Sequence, residues 1–347
     1  MTNYMTNSIF LDTINGIKRE RPPVWFMRQA GRVLPSYMKL RESYGFKHMM
    51  EEPKLAAEVT LLPVHDLGVD AAILFSDILV IPEALGMELS FEGKGPTFKT
   101  ALKDVEDPLH FLTDMPERLE HIYQAIDQIL ATKPAEIPLI GFCGGPLTTL
   151  CYMFQGFSQN LNFPDFVPAI YRDKSTMKKL VTRITEMSIH YALKQVEHGV
   201  QAFQLFETHA GLIPIELYKE VFLPSVKAIL GAVRAKGVKT IYLPKGLGTG
   251  INMVNYDLCD CVSVDWQTPL HEVRPIVGEE MILQGNFDPR ILLADKNAID
   301  QEFEYYLNYG RKDHKWIFNL GHGLLPNIPV ENVQYLIDKV KTSDWGR

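Results

Sequence analysis

Short apolar runs rich in β-branched and aromatic residues alternate along the chain with longer segments of helical period. Such runs are typical of buried strands, and strands that alternate with helices form parallel sheets joined by crossover connections. The pattern predicts eight strands, at residues 24–27, 71–75, 138–142, 201–206, 238–243, 261–264, 281–284 and 315–319.

Two of the intervening segments show the helical period most clearly. Between residues 173 and 198, apolar side chains recur at spacings of three and four, with lysines and glutamates opposite them. Residues 329–340 repeat this pattern, and Pro329 suits the start of a helix. No segment rich in Pro, Gly or Ser divides the chain. We therefore predict an α/β fold with a single (β/α)8 TIM barrel over residues 1–347, in preference to a doubly wound sheet with a second domain.

The longest uncharged stretch, residues 137–164, has the length of a membrane span, but prolines, glycines and polar residues interrupt it. We interpret it as a buried strand followed by a loop and a short helix. The start of the chain shows no positive cluster followed by an apolar run, so no secretory signal is indicated and a cytoplasmic protein without membrane contact is expected.

Charge and cysteine usage exclude some classes of function. A net charge of −7 and a pI near 5.8 give no basic face for nucleic acid. The four cysteines show neither a CxxC pair nor the histidine spacing of a zinc site, so we expect reduced and mostly buried thiols at Cys143, Cys151, Cys259 and Cys261.

Unusual polar residues directly follow several of the predicted strands. Arg28 follows the first strand, Asp77 the second, Thr208 and His209 the fourth, and His322 the last. All of them are therefore at carboxyl ends of strands, the face of a (β/α)8 barrel that carries the active site.

Each of these residues also has a structural interpretation. Asp77 could cap a helix that begins near Ile78, although Pro82 follows after a single turn, which is a short span for a helix. Tyr152 could be a core tyrosine with a hydrogen-bonded hydroxyl.

The glycines near His322 and Lys245 fit the same kind of interpretation. Gly321 and Gly323 suit a tight bend that holds His322. Lys245, in "LPKGLGTG", lacks the spacing of a phosphate loop and is better explained as a backbone bend at the end of the fifth strand.

The two arginines near the first strand are harder to explain structurally, because arginine is almost never fully buried without a partner. Between residues 18 and 47, eight lysines and arginines face only Glu20 and Glu42. This surplus points to an anionic ligand at Arg28 and Arg32. A solvated basic face is the alternative, and it fits Lys18, Arg19 and Arg21 better.

Five motifs in this order resemble the uroporphyrinogen decarboxylase family of haem biosynthesis: "PVWFMRQAGRVLP", "AAILFSDILVIPEALGM", "FETHAG", "QGNFDP" and "NLGHGLLP". They span nearly the whole chain, and the first is highly specific. The resemblance implies a carboxy-lyase, usually a homodimer, that converts the four acetate side chains of uroporphyrinogen III to methyl groups, giving coproporphyrinogen III and CO2. It implies no metal and no organic cofactor.

The resemblance also implies the site. Arg28 and Arg32 match the arginines that meet substrate carboxylates, with Gln29, Ala30 and Gly31 between them, and Asp77 matches the aspartate that faces the pyrrole nitrogens. The remaining matching positions are Tyr152, Thr208 and His322 as polar contacts, and Arg41, Phe142 and Phe206 in the pocket.

The sequence departs from the family pattern at several positions, of which Gly145 and Leu147 concern the pocket wall. Gly145 and Leu147 replace Ala and Trp of the common "GFxGAPWTL", so the wall near Tyr152 is expected to differ in shape. Thr208 stands where serine is also common, and Tyr37 where phenylalanine is common.

The implied chemistry suits these residues. A pyrrole that is protonated on the ring carbon can accept the electrons released by decarboxylation, so the protein has to stabilise a cationic ring and deliver protons. An ionised Asp77 can accept several pyrrole N–H groups, and planar guanidiniums can bind carboxylates bidentately. The proton donor stays open among Arg28, Tyr152, His322 and water. His322 is the easiest acid of these, since a histidine titrates near neutral pH.

Two other functions are compatible with the sequence. A corrinoid-dependent methyltransferase barrel would need a zinc site, for which Cys259 and Cys261 are the nearest candidates. A non-catalytic tetrapyrrole carrier would keep Arg28 and Arg32 but would not need Asp77.

Overall fold

A curled, seven-stranded parallel sheet forms the centre of the computed structural model, which describes residues 8–91, 95–157 and 162–347. The strands are β1 Ala72–Ile73, β2 Leu89–Ser90, β3 Thr97–Phe98, β4 Leu139–Gly144, β5 Ala202–Glu207, β6 Lys239–Pro244, β7 Cys261–Ser263, β8 Ile282–Phe287 and β9 Trp316–Leu320. The order in the parallel sheet is β1-β4-β5-β6-β7-β8-β9, and β2 and β3 form a separate antiparallel pair that the sequence did not predict.

Seven of the eight predicted strands are confirmed as members of this sheet. The first predicted strand, residues 24–27, is instead a single parallel bridge from Val24 to Phe318 of β9. Phe318 N–H donates to Pro23 O (2.9 Å), and Asp70 N–H donates to Val24 O (2.8 Å). The segment around Val24 therefore connects β9 to the residues just before β1.

Helices follow most strands and cover the outside of the sheet. The predicted helix 173–198 is confirmed as α10, where Asp173 accepts from Thr176 N–H (2.9 Å), and Pro329 caps α15. The helices are α1 Ile9–Ile14, α2 Pro35–Tyr44, α3 Phe46–Glu51, α4 Pro53–Asp66, α5 Val80–Ala84, α6 Pro108–Phe111, α7 Glu120–Thr132, α8 Pro146–Gln155, α9 Phe166–Arg172, α10 Lys174–Glu197, α11 Ile215–Val221, α12 Leu223–Arg234, α13 Leu270–Val277, α14 Lys296–Lys312 and α15 Val330–Thr342.

Within the uncharged stretch 137–164, of which residues 158–161 lie outside the described residues, the predicted buried strand is β4 and the predicted short helix is α8. Only Gly145 separates them, so the expected loop between strand and helix is absent there. Nine of the ten α8 residues are buried, all except Tyr152, because neighbouring elements cover the helix. Across the described residues, no helix has both the length and the apolar character needed to cross a membrane.

Glutamine side chains line the concave side of the sheet. Gln284 on β8 donates to Gln204 Oε1 on β5 (3.2 Å) and to Ser263 Oγ on β7 (3.0 Å), and it accepts from Trp25 Nε1 (3.1 Å). Buried amides need such partners, since an unsatisfied polar group costs about 1–3 kcal/mol. The network lies on the concave face of the sheet. Residues paired in register with Gln204, such as Phe142 on β4, point to the same face.

Candidate active site

Arg28 lies in a tight turn just after the Val24 bridge. Gln29 N–H donates to Phe26 O (3.1 Å), and Arg28 occupies the third position of that turn with φ of 62°. A left-handed conformation is unusual for arginine and costs on the order of 1 kcal/mol, so the surrounding structure has to hold it. The buried Gln29 side chain does this: it accepts from Phe26 N–H (3.0 Å) and donates to Ala71 O (3.0 Å).

Two glycines give the Arg28 turn its space. A Cβ on Gly31 would lie 2.9 Å from Arg28 O, and a Cβ on Gly323 would lie 2.4 Å from Arg28 Cδ. Neither glycine has a positive φ. The residue with the unusual backbone is thus Arg28 itself, and the glycines are explained by close approach rather than by a sharp bend.

The Arg28 side chain is solvent-exposed, yet protein surrounds it closely enough that desolvation lowers its pKa. A side chain inside a concavity has both properties, because water reaches it while protein surrounds it on several sides. The charges of Tyr152 and Asp77 raise this pKa, and that of Arg32 lowers it, so these three groups are its electrostatic neighbours. The structure therefore brings Asp77 and Tyr152, from distant parts of the sequence, near Arg28 and Arg32.

Asp77 lies after β1 and forms a local turn. Its Oδ1 accepts from Leu79 N–H (2.8 Å), and the short helix α5 begins at Val80 with Pro82 in its first turn, where a backbone N–H is not needed. Asp77 thus precedes the helix rather than capping it. Burial raises the Asp77 pKa, whereas the Leu79 N–H bond and the Arg28 charge lower it.

Tyr152 projects from α8 toward an aromatic cluster. Its hydroxyl lies 3.3 Å from His209 Nε2, and its ring packs edge to face on Phe163 with 5.3 Å between the ring centroids. The His209 ring also packs on Phe163, with 4.8 Å between centroids. Burial raises the pKa of Tyr152 to about 12, and burial followed by the Lys245 charge lowers the pKa of His209 to about 4.

His322 lies between two glycines that closely approach other parts of the site, Gly321 the backbone of Trp266 and Gly323 the side chain of Arg28. A Cβ on Gly321 would lie 2.3 Å from Trp266 N, so this loop packs directly on the backbone that carries Trp266. The rings of Trp266 and His322 meet edge to face at 6.2 Å. Burial, then the charges of Arg28, Lys245 and His209, lower the pKa of His322 to about 3. The expectation that His322 titrates near neutral pH is therefore wrong, because desolvation favours the neutral imidazole.

Arg32 and Arg41 continue the positive charge away from Arg28. Both lower the pKa of the buried Tyr37 hydroxyl, whose pKa burial raises, so both lie near that ring. In the described part of the chain, no carboxylate lies within 4.0 Å of the guanidiniums of Arg28, Arg32 or Arg41. By contrast, Arg21 forms an ion pair with Asp70 (2.6 Å).

That contrast divides the basic segment 18–47. Arg19 pairs with Asp12, and Arg21 with Asp70, so the interpretation of these arginines as a solvated basic face is wrong: carboxylates from other segments bind them. The arginines left without carboxylates are those that the motif assigned to ligand binding.

The remaining predicted residues lie on β4 and β5, directly after β5, or beside the Arg28 turn. Phe142 on β4 and Phe206 on β5 contact edge to face at 5.6 Å. Phe142 is paired in register with Gln204, so both rings face the concave side near the strand ends. Ala30 packs against the core in the Arg28 turn, and Thr208 directly follows β5 between Glu207 and His209.

Glu207 connects the end of β5 to the start of α8. Its carboxylate accepts from Leu147 N–H (3.1 Å), Thr148 N–H (2.7 Å) and Thr148 Oγ1 (2.6 Å), and a Cβ on Gly145 would lie 2.5 Å from Glu207 Cδ. Burial raises the Glu207 pKa to about 7. The departure at Gly145 thus makes room for a carboxylate that binds the free N–H groups of α8.

The chain is similar to known proteins over nearly its whole length. The uroporphyrinogen decarboxylase (URO-D) family model matches residues 5–343. A uroporphyrinogen decarboxylase from Legionella pneumophila (strain Corby) is 38% identical over 343 residues, covering 97% of each chain. One from Syntrophotalea carbinolica is 39% identical over 334 residues, covering 95% of this chain and 96% of its own.

The chain belongs to the uroporphyrinogen decarboxylase family. The resemblance inferred from the five motifs is confirmed. Among solved structures, a methyltransferase from Methanosarcina mazei matches with a TM-score of 0.74 and 19% identity, covering 95% of this chain and 96% of that one. At this identity the likeness concerns the fold alone.

The cysteines proposed for a zinc site lie elsewhere in this family member. Cys259 and Cys261 are fully buried at the amino end of β7, whereas the candidate site lies at the carboxyl ends of the strands. Burial raises the pKa of both thiols, which disfavours the thiolate that binds zinc. The described residues contain no group of three His, Cys, Asp or Glu side chains that could hold a metal.

Three further residues near these groups have no predicted role in binding or catalysis: His209, Lys245 and Trp266. The signal available was the same for all three: each lies within three residues of the end of a predicted strand.

Proposed function

We propose that this protein removes CO2 from the four acetate side chains of uroporphyrinogen III, giving coproporphyrinogen III, without metal or organic cofactor. Membership of a carboxy-lyase family supports the reaction. The observation that carries the proposal is the meeting of the Arg28 guanidinium, which has no carboxylate partner in the described part of the chain, with Asp77 at the carboxyl ends of the strands. A positive rim beside one central carboxylate suits a polycarboxylate with N–H groups at its centre.

Asp77 is the residue that stabilises the reacting ring. Protonation of the ring carbon next to the acetate-bearing position makes the pyrrole cationic. The carboxylate then loses CO2, its bonding electrons form an exocyclic methylene, and the ring charge disappears. Protonation of that methylene gives the methyl group, and loss of the ring-carbon proton restores the pyrrole. An ionised Asp77 stabilises the cation more than the neutral ring, and this difference lowers the barrier.

The ionised state of Asp77 depends on its neighbours. Burial raises its pKa, and the positive charge of Arg28 and the Leu79 N–H bond oppose that effect. Each pyrrole N–H that donates to the carboxylate in the complex adds a further contribution of the same sign as Arg28.

The arginines hold substrate carboxylates. Arg28 and Arg32 offer planar, bidentate donors, and Arg41 extends the same positive surface. The carboxylate that leaves as CO2 cannot be held too strongly, because an interaction made equally in the ground state does not lower the barrier. We therefore assign the strongest grip to carboxylates that do not react.

We assign the role of proton donor to Arg28, because burial makes it a stronger acid. Burial raises the Tyr152 pKa to about 12 and lowers that of His322 to about 3, so the tyrosine is a weaker acid than usual and His322 carries no extra proton to give at neutral pH. Desolvation lowers the pKa of Arg28, which makes it a better acid than a free guanidinium. Tyr152 and His322 then serve as hydrogen-bonding contacts to substrate.

We further propose that the curled sheet closes into a (β/α)8 barrel, with residues 23–25 as the eighth strand. The bridge from Val24 to Phe318 and the hydrogen bond from Asp70 to Val24 support closure. A continuous buried apolar cluster from Phe10 to Trp345 supports one domain over residues 1–347. A cytoplasmic homodimer is proposed from the family resemblance, and four free cysteines fit a reducing compartment.

Anaerobic incubation of the purified protein with uroporphyrinogen III tests the proposed function. We expect chromatography to show stepwise loss of carboxyl groups down to coproporphyrinogen III. Oxidised uroporphyrin should not react, since its conjugated ring cannot present four N–H groups to one carboxylate. A lack of products from the reduced substrate, or equal turnover of the oxidised one, would contradict the proposal.

A further inference from the structure

Lys245 lies in a turn whose backbone is fixed on several sides. It follows β6, its N–H donates to Glu207 O (3.1 Å), and its carbonyl accepts from Gly211 N–H (3.2 Å). The next residue, Gly246, has φ of 76° and donates to Asp265 Oδ2 (2.5 Å). The turn is thus attached to the ends of β5 and β7, and the "LPKGLGTG" motif holds Lys245 at a defined place on the site face.

Close packing of glycines strengthens this attachment. A Cβ on Gly211 would lie 2.2 Å from Gly246 O, so the loops after β5 and β6 contact each other backbone to backbone. A rigid base of this kind limits where the lysine side chain can reach.

The Lys245 ammonium is connected to the site through Trp266. Its Nζ lies 5.3 Å from the centroid of the Trp266 ring, and that ring contacts His322 at 6.2 Å. His322 adjoins Gly323, which contacts the Arg28 side chain. Lys245 therefore belongs to the same concavity as Arg28. The lowering of the His209 and His322 pKa values by its charge agrees with this position.

Charge pairing distinguishes Lys245 from the neighbouring cation. Arg290 also lies over the Trp266 ring, at 5.2 Å, but it forms an ion pair with Asp288 (2.5 Å). Within the described ranges, no carboxylate lies within 4.0 Å of Lys245 Nζ. A half-buried ammonium without a counter-charge is suited to an anionic group of a ligand.

We propose that Lys245 is a specificity-determining residue that binds a propionate carboxylate of the substrate on the Trp266 side of the site. This inference rests on the proposed function. The propionates survive all four decarboxylations, so a contact with one of them serves every round. A lysine is a flexible point charge, which tolerates the altered positions of the macrocycle as successive rings are presented. The contact is the same in the ground and transition states, so it affects KM rather than kcat.

The test compares Lys245→Met with the wild type under anaerobic conditions, using uroporphyrinogen III and the pentacarboxylate porphyrinogen as substrates. Methionine keeps an unbranched apolar stem over Trp266 and removes the charge. We expect KM to rise about tenfold for both substrates, as for loss of a charged hydrogen bond, with kcat within about twofold. The KM of the variant should also depend less on ionic strength.

Lys236→Met is the matched control. Lys236 is exposed and lies just before β6, at the opposite end of the strand from Lys245, so the change in net charge is the same. We expect its KM to equal that of the wild type. Lys245→Arg, which retains the charge, should keep KM within about threefold and also serves if the methionine variant does not fold.

Three results would overturn the inference: an unchanged KM in Lys245→Met, a loss confined to kcat, or an equal KM change in Lys236→Met. An effect on uroporphyrinogen alone would assign the contact to an acetate and overturn the propionate assignment. If Lys245→Met does not fold, the inference is tested with Lys245→Arg instead. A tenfold rise in KM for that variant would overturn the inference. Failure of the proposed function is seen separately, because the wild type would then form no product.

Discussion

Asp77 and Arg28 depend on each other at the level of single residues. The charge of Arg28 favours the ionised carboxylate against burial, and the charge of Asp77 favours the protonated guanidinium against its own desolvation. Tyr152 lies near both groups and raises the pKa of Arg28 as well. A substitution at either position therefore acts on the electrostatics of the whole site.

Asp77→Asn should remove most turnover without unfolding the protein. The amide oxygen can still accept from Leu79 N–H, but it cannot supply the negative charge that stabilises the cationic ring. We expect kcat to fall at least about a hundredfold, as for loss of one main electrostatic contact, with an unchanged melting temperature. Steady-state rates and thermal unfolding check this. Near-normal turnover would refute the proposed role of Asp77.

Gly323→Ala should displace the Arg28 side chain, because Gly323 lies against it in the loop after β9. The new methyl group would lie 2.4 Å from Arg28 Cδ, so the guanidinium has to move. We expect kcat/KM to fall about tenfold or more, since small misplacements of a positioning group are costly. Gly231→Ala on α12 is the control, because nothing lies within 4 Å of its Cβ. Equal activity of the two variants would show that the Arg28 position is not sensitive to this loop.

At the scale of elements, α8 is the helix that positions Tyr152, and Glu207 fixes the start of that helix. The carboxylate binds two backbone N–H groups and the Thr148 hydroxyl, and His209 N–H donates to the same hydroxyl (3.1 Å). The end of β5 and the start of α8 therefore share one buried hydrogen-bonded unit. Its geometry depends on the absence of a side chain at Gly145.

Gly145→Ala should destabilise this unit, because the methyl group would lie 2.5 Å from Glu207 Cδ. We expect a loss of about 1–3 kcal/mol in the free energy of unfolding, typical of overpacking. Adding Glu207→Asp shortens the opposing side chain and should recover part of that loss. Denaturant unfolding of both single variants and the double variant forms a double-mutant cycle. Strict additivity in the cycle would contradict a direct steric contact.

At the scale of the whole molecule, Asp70 connects the first segment of the chain to the sheet. Its carboxylate accepts from Arg21 (2.6 and 2.8 Å) and from Val24 N–H (2.8 Å), and its own N–H donates to Val24 O (2.8 Å). The proposed closing strand, and with it the turn that carries Arg28, is held in place through this residue.

Asp70→Asn should therefore lower the stability of the entire fold. It leaves the Arg21 guanidinium without its counter-charge, and we expect a loss of about 3 kcal/mol. Asp114→Asn is the comparison, because its ion pair with Arg183 (2.6 Å) involves an aspartate side chain that is 61% exposed. That change should cost less than about 1 kcal/mol. Similar melting temperatures for the two variants would argue against a closing role for Asp70.

The sequence by itself determined the sheet, the family and the choice of residues at the strand ends. Hydrophobic period is a local property, so seven of the predicted strands and the long helices could be located without coordinates. The order of strands along the chain then placed Arg28, Asp77, Thr208 and His322 on one face, since parallel strands all point the same way.

Only the tertiary structure decided which charges are partnered and why the glycines are present. Arg21 and Arg28 look alike in the sequence, but Asp70 approaches only Arg21, from a distant segment. Gly323 approaches Arg28 only because the last strand lies beside the first segment. Such contacts depend on register between elements far apart in the chain. The same is true of desolvation, which makes His322 neutral and leaves the Lys245 ammonium over Trp266.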